Sequence, residues 1–389
     1  MRPSLRLLAA ATMAVALLSG CTSIKNVFGG KNKDKTGEPT KLVDITTSAN
    51  VSRLWTAKLG KGEEQLGIGQ HPVIADGRVY AAAVEGGVSV FDLRTGQSLW
   101  RHASDLPLSG GPGVGDGLVV VGSLDGDVIA LDAATGEQKW TAKVGNEIIA
   151  APAIGSGMVF VHSNDGRLTA FDAGSGERRW FHAVESPALT VRGTGGITLG
   201  PGILFVGSDD GKLTALKASD GAVLWSAVVA EAEGRNELER MADVDGDAVL
   251  DGTTLFASSH KKRTVAIDGP SGQVMWQSDN GGARGVGVSN SAIVVSDRDG
   301  NVSALDKNSG GSLWQQTGLL YRNVSAPAVQ GDYAVVGDLD GVLHWLRLND
   351  GAFAARAKMG AAIIGQPVQA DGIVVVQDSE GELAAFALQ

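Results

Sequence analysis

The 389-residue sequence holds a single cysteine, Cys21. Internal disulfides and cysteine-based metal or redox centres are therefore excluded. The six histidines, at 71, 102, 162, 182, 260 and 344, fall at no metal-ligand spacing such as HExxH. No GxSxG nucleophile elbow is present, and the glycine-rich GGPGVGDG lacks the helix that a phosphate loop must open. Basic runs are confined to Lys31–Lys35 and Lys261–Arg263 in a chain of net charge −10, which argues against nucleic acid as a partner. Aromatic residues make up only 5% of the chain, yet eight of them are tryptophans, and those recur at nearly regular intervals.

The repeated unit is clearest in LVVVGSLDGDVIALDAATGEQKW, Leu118–Trp140. Apolar residues alternate with period two, and Asp-Gly and Thr-Gly turns mark both joints, so the unit predicts three antiparallel strands. Related copies end at Trp100, Trp180, Trp225, Trp276 and Trp314; a seventh places Ala355 in the tryptophan register, and an eighth, IVVVQDSEGELAAFALQ, stops without its final strand. VSRLWTA, carrying Trp55, is an orphan final strand upstream of the first copy. Tryptophan spacings of 45, 40, 40, 45, 51 and 38 residues suit four-stranded propeller blades. Short Pro- or Gly-bearing segments (QHPVIA, GGPGVG, AAPAIG, SAPAVQ, GQPVQA) supply the inner strands. The fold expected is an all-β, eight-bladed propeller over residues 50–389, closed by the N-terminal strand completing the last blade. Trp345, one strand from Ala355, is expected to fill the volume that Ala355 leaves.

Residues 1–20 read as a signal peptide: Arg2 and Arg6, then apolar Leu7–Leu18, then Ser19-Gly20. Leu18-Ser19-Gly20-Cys21 resembles a bacterial lipobox, which makes Cys21 the expected lipidation site. Residues 21–49 read as a polar, flexible tether. Two inter-blade connections are long, Phe181–Gly196 and Ser226–Gly252, and blade topology puts both on one face of the disc. Neighbouring insertions on a rigid scaffold point to a binding surface. The first carries apolar Leu189 and Val191 beside Arg192; the second carries Asp243 and Asp245. Apolar residues flanked by opposite charges suit a protein contact. A further elongation at Gly60–Gln65 is more polar. Asp243-Val-Asp245-Gly-Asp247 departs from a calcium loop, with Ala248 and Thr254 at the positions needing glycine and a bidentate carboxylate. Neither a catalytic constellation nor a metal site is predicted.

The ALDaaTGxxxW ending resembles the pyrroloquinoline-quinone-type propeller repeat, which raises a quinone-binding enzyme as one reading and a generic envelope scaffold as another. Over nearly its full length the chain resembles the BamB family, lipoproteins of the outer-membrane β-barrel assembly machinery. ALTVRG (188–193) resembles one loop of that family, with Val191 where leucine is common. ELERMADVDG (237–246) resembles a second, with Ala242 in place of serine. The resemblance implies a non-enzymatic scaffold without cofactor, held at the periplasmic face of the outer membrane. It also implies that Leu189, Val191, Arg192, Asp243 and Asp245 bind the periplasmic domains of BamA, with unfolded outer-membrane proteins as a second class of client.

Overall fold

The computed structural model describes residues 37–63, 67–183 and 195–389, with residues 237 and 238 described as backbone only. Thr40–Gln389 form one compact unit. The expected signal peptide, Cys21, and the sequence-predicted Leu189, Val191 and Arg192 lie outside the described residues. No helix among the described residues is long and apolar enough to cross a membrane.

Among the described residues, thirty-two strands form eight four-stranded antiparallel sheets. Blade two is typical: Leu108–Gly115 inside, then Leu118–Ser123, Asp127–Asp132 and Gln138–Lys143 outward. The middle strands are buried on both faces, because each sheet is packed between two neighbours. Blade eight is built from both ends of the propeller: Val51–Lys58 pairs with Glu382–Leu388, register Val51↔Leu388 to Lys58↔Glu382. Closure removes the free edge that an open ring would expose. In blade two, Pro112 falls where the ladder breaks between Gly110 and Gly113, since proline has no N–H to offer.

The outer strands share a bulge. Trp140 lies opposite Ala130 and Gln138 opposite Leu131, so Lys139 is the extra residue. The same break recurs in every blade. It turns the residue before each tryptophan outward, which leaves Leu54, Leu99, Leu224, Met275 and Leu313 exposed on the rim.

It also aims each tryptophan at the following blade. Trp140 Nε1 donates to the carbonyl of Ala173 in blade three at 2.8 Å, and its ring lies beneath Gly176. A Cβ on Gly176 would stand 2.7 Å from that ring, and its φ of +73° also favours glycine. The pattern of indole on carbonyl and ring under turn glycine recurs for Trp55, Trp100, Trp180, Trp225, Trp276 and Trp314. Seven of the eight blade interfaces are latched this way.

The eighth interface, from blade seven to blade eight, cannot be. Blade eight's third and outer strands come from opposite ends of the chain, so no Thr-Gly corner exists to receive a latch. Ala355 stands there instead. Trp345, directly opposite Ala355 in the register, is fully buried and meets Phe386 of blade eight edge-to-face at 6.1 Å. Its Nε1 donates to Gln330 Oε1 at 2.7 Å, and Gln330 Nε2 donates to the Gly372 carbonyl of blade eight at 2.6 Å. The expected compensation is thus present, with a side-chain relay in place of the direct latch.

Trp140→Ala and Trp345→Ala should each destabilise the fold by about 3–5 kcal/mol, measured by denaturant unfolding. An unchanged midpoint for Trp345→Ala would remove it from the seam.

Candidate functional site on the loop face

Inter-blade connections and second-to-third-strand turns share one face of the propeller, called here the loop face. The long connection from blade four to blade five crosses it. A four-residue helix, Glu237–Arg240, is capped by Asn236, whose Oδ1 accepts the Glu239 N–H at 2.9 Å. Beyond it the chain dives inward: Ala242, Asp243 and Val244 are fully buried. Val244 joins the core between blades four and five. The Val244 N–H donates to the Ser208 carbonyl at 3.3 Å, and the His260 N–H donates to the Asp243 carbonyl at 2.8 Å. The sequence grouped Asp243 with Asp245 as surface contacts, but the buried apolar residues on either side of Asp243 carry it inside. Asp245 alone of the two reaches the surface, half-buried at the rim of the central opening.

Gly246 makes the return possible. A Cβ there would stand 2.0 Å from the Gly285 nitrogen of the neighbouring connection, so only glycine lets the backbones touch.

Asp243 and Asp245 do come together, and a third carboxylate joins them. One oxygen each from Asp209, Asp243 and Asp245 all lie within 4.8 Å of one another. Asp209 belongs to blade four's Ser208-Asp209-Asp210-Gly211 turn, beside the connection on the same face. The signal was available: two consecutive acids occupy a turn that topology places next to Asp243. Asp245 Oδ1 is buried without a hydrogen-bond partner among the described residues. Burial first, then the charges of Asp243 and Asp209, raise its carboxyl well above the usual carboxylate range. The natural complement of such a cluster is a guanidinium or ammonium group.

Asp245 also borders the mouth of the central channel, a cavity of about 300 Å³. Asp247, His71, His260, Arg284 and Arg298 share its wall with small residues such as Gly111, Ala150 and Gly282. Arg284 Nη2 donates to Asn323 Oδ1 at 2.6 Å and Nη1 to the Ile364 carbonyl at 3.3 Å. Burial lowers the His260 pKa, Arg298 adds to this, and Asp243 opposes it. A planar quinone needs a stacking surface, and no Trp, Tyr, Phe or Cys lines the cavity among the described residues. The residues present do not fit that cofactor.

The basic turn Lys261–Arg263, unassigned from sequence, is satisfied within the propeller. Lys262 pairs with Asp297 at 3.0 Å and Asp299 at 2.6 Å, Arg263 pairs with Asp279 at 2.9 Å, and Lys261 donates to the Glu233 carbonyl. It ties the long connection to blade six.

The family described as outer membrane protein assembly factor BamB matches residues 84–316 and 298–389. The chain belongs to the BamB family. A relative from Xanthomonas campestris pv. campestris, named outer membrane protein assembly factor BamB, is 52% identical over 95% of each chain. The crystal structure of BamB from Moraxella catarrhalis superposes with a TM-score of 0.79 at 27% identity, covering 87% of this chain and all of that one. The quinohemoprotein alcohol dehydrogenase of Comamonas testosteroni gives a TM-score of 0.70 at 15% identity, over 89% of this chain and 78% of that one. At that identity the likeness shows the propeller fold alone. BamB relatives therefore share sequence over the whole ring, whereas the dehydrogenase shares only its geometry.

Glu63, in the elongated blade-eight-to-one connection, is buried and accepts the Gly69 and Gln70 N–H groups at 2.9 and 3.0 Å. Burial pushes its pKa up to about 7, against those bonds and the Arg284 charge, which lower it. The folded state thus favours the protonated form. The stability this provides is complete below the unfolded value of 4.5 and is lost as pH rises through about 7. Glu63→Gln should remove a decline of roughly 3 kcal/mol between those limits. Urea unfolding of wild type and variant across pH 4 to 8 measures the difference; parallel curves would contradict it.

Proposed function

We propose that the chain is a non-catalytic assembly factor for outer-membrane β-barrel proteins, lipidated on Cys21 and held at the periplasmic face of the outer membrane. It acts by docking the periplasmic domains of BamA on its loop face. The observation that carries this reading is the 52% identity, over 95% of each chain, to a relative named as such a factor.

The contact centres on blades three to five. Leu189 and Val191 supply apolar area, Arg192 supplies a positive charge, and Asp245 supplies a carboxyl that an approaching cation would ionise. Asp243, being buried, acts from within by holding Asp245 and the connection in place. The convergence of Asp209, Asp243 and Asp245 supports this placement, because a carboxylate cluster at a half-buried rim favours a cationic complement. A basic side chain brought by the partner would supply it. The propeller holds the partner's periplasmic domains in a fixed arrangement while a barrel assembles.

Binding of the soluble chain to the purified periplasmic domains of the same organism's BamA should be detectable by calorimetry. Arg192→Glu, confirmed folded by circular dichroism, should weaken it by at least about thirtyfold, the lower end for disrupting a desolvated charge pair. Binding kept by the variant would move the site elsewhere on the propeller, and none by wild type would overturn the partner. Added pyrroloquinoline quinone should leave the melting temperature unchanged; a rise that depends on its concentration would restore the enzyme reading.

A further inference from the structure

The sequence assigns residues 21–49 to a flexible tether, yet residues 40–50 lie along the outer flank of blade seven. The path is continuous. At Asn50, on the face opposite the loops, the carbonyl accepts the Gln389 N–H at 2.9 Å. The Ser48 and Ala49 N–H groups both donate to the Ala354 carbonyl, at 2.9 and 3.3 Å. Further up, the Val43 carbonyl accepts Arg356 Nη1 at 2.6 Å. Leu42 packs against the core between blades six and seven. On the loop face, the Thr40 N–H donates to the Leu320 carbonyl at 2.9 Å, and its own carbonyl accepts Arg322 Nη1 at 2.9 Å.

Blade seven is shaped to receive this segment. Its bulge residue, Ala354, occupies the position that holds Leu, Lys, Arg or Met in the other blades, always facing solvent. Here it is fully buried under the segment. A side chain of the usual size would fill the space that Ser48 and Ala49 occupy. The two arginines that grip the segment are themselves braced. Arg322 Nε donates to buried Asp338 at 2.7 Å, and Arg356 Nε donates to His344 Nδ1 at 3.1 Å. That bond places the His344 proton on Nε2, 3.0 Å from Asp338. One buried network thus anchors two points of the segment.

We propose that residues 40–50 are a fixed strap that carries the chain from the closing strand, across the disc, to the loop face. The lipid-linked end of the chain then departs from the same side as the docking surface, and that face is the one turned toward the membrane. This orientation rests on the reading of Cys21 as the anchor; the strap itself does not. Docking also withdraws eleven residues, about 35 Å of extended chain, from the reach of the tether.

The test uses the chain from Thr22, with a hexahistidine tag in place of the lipid, on vesicles containing nickel-chelating lipid and a membrane-confined quencher. Without Cys21 the chain has no cysteine, so Asp125→Cys on the loop face or Ala134→Cys on the opposite face takes a single fluorophore. The strands between the faces span about 20 Å. The Asp125 label should be quenched more than the Ala134 label. In Ala354→Leu this difference should vanish, and tryptic cleavage after Lys41 should quicken by about tenfold or more as the strap opens. Replacing Thr40 and residues 42–49 by Gly/Ser, which keeps Lys41 and every strand of the blades, should act in the same way if Ala354→Leu fails to fold. Equal quenching of both labels in wild type, or cleavage after Lys41 as fast in wild type as in the replaced chain, would overturn the proposal. Acylation is followed separately, by mass spectrometry of the full chain: an unmodified Cys21 would sink the anchor and with it the membrane orientation, while the strap would stand on the vesicle and cleavage results.

Discussion

The hydrogen bond from an indole to the next blade's corner, with the ring clamped under that corner's glycine, is the interaction on which the rest of the propeller depends. A single such bond contributes about 1 kcal/mol. Its larger effect is geometric. The bulge before each tryptophan fixes where the ring points, and the left-handed glycine fixes the surface that it meets. Blade-to-blade rotation is thereby set at the rim as well as at the apolar interfaces. The corner is itself held tightly: Asp132 accepts the Ala134 and Thr135 N–H groups at 3.0 Å each. Lys139 first, and those bonds after it, hold its carboxyl down at about 2.

The one interface that cannot be latched explains the local departures around it. Because blade eight is assembled from two chain ends, Ala355 replaces tryptophan, Trp345 takes over the packing, and Gln330 carries the hydrogen bond across. Ala354 then has no need to carry a large rim side chain, and the vacated flank receives residues 40–50. Deviations at Ala354, Ala355, Trp345 and Gln330 that look unrelated in sequence thus cluster at one break in chain connectivity.

The architecture was legible because periodicity, turn chemistry and tryptophan spacing all report the same unit. The loop face was legible too, since topology alone assigns the long connections to it. What the sequence concealed was depth. Asp243 looks like a surface acid in a polar loop, but Ala242 and Val244 beside it are core residues, and two small apolar side chains in an insertion give little warning of that. Asp209 carried a signal, the doubled acid of its turn, but one that stands out only once topology sets that turn beside Asp243. Lys261–Arg263 read as a bare basic tip because Asp279, Asp297 and Asp299, which satisfy it, belong to the following connection and turn. The strap escaped notice for a similar reason: its backbone bonds to Ala354 and Leu320 need no particular side chains, so composition alone reads it as linker.

Pairing Val51–Lys58 with Glu382–Leu388 has a consequence for the order of events in folding. Every other blade is local in sequence and can form once its own forty or so residues are available, but blade eight needs the last residues of the chain to meet nearly the first of the propeller. The loop-closure entropy for that meeting is met gradually, since each completed blade brings the two ends nearer. Until Leu388 arrives, the N-terminal strand has an unpaired edge and blade seven lacks its neighbour. Ring closure therefore depends on the most distant pairing in the propeller, and a chain emerging N-terminus first carries that strand without its native partner until the last residues are made.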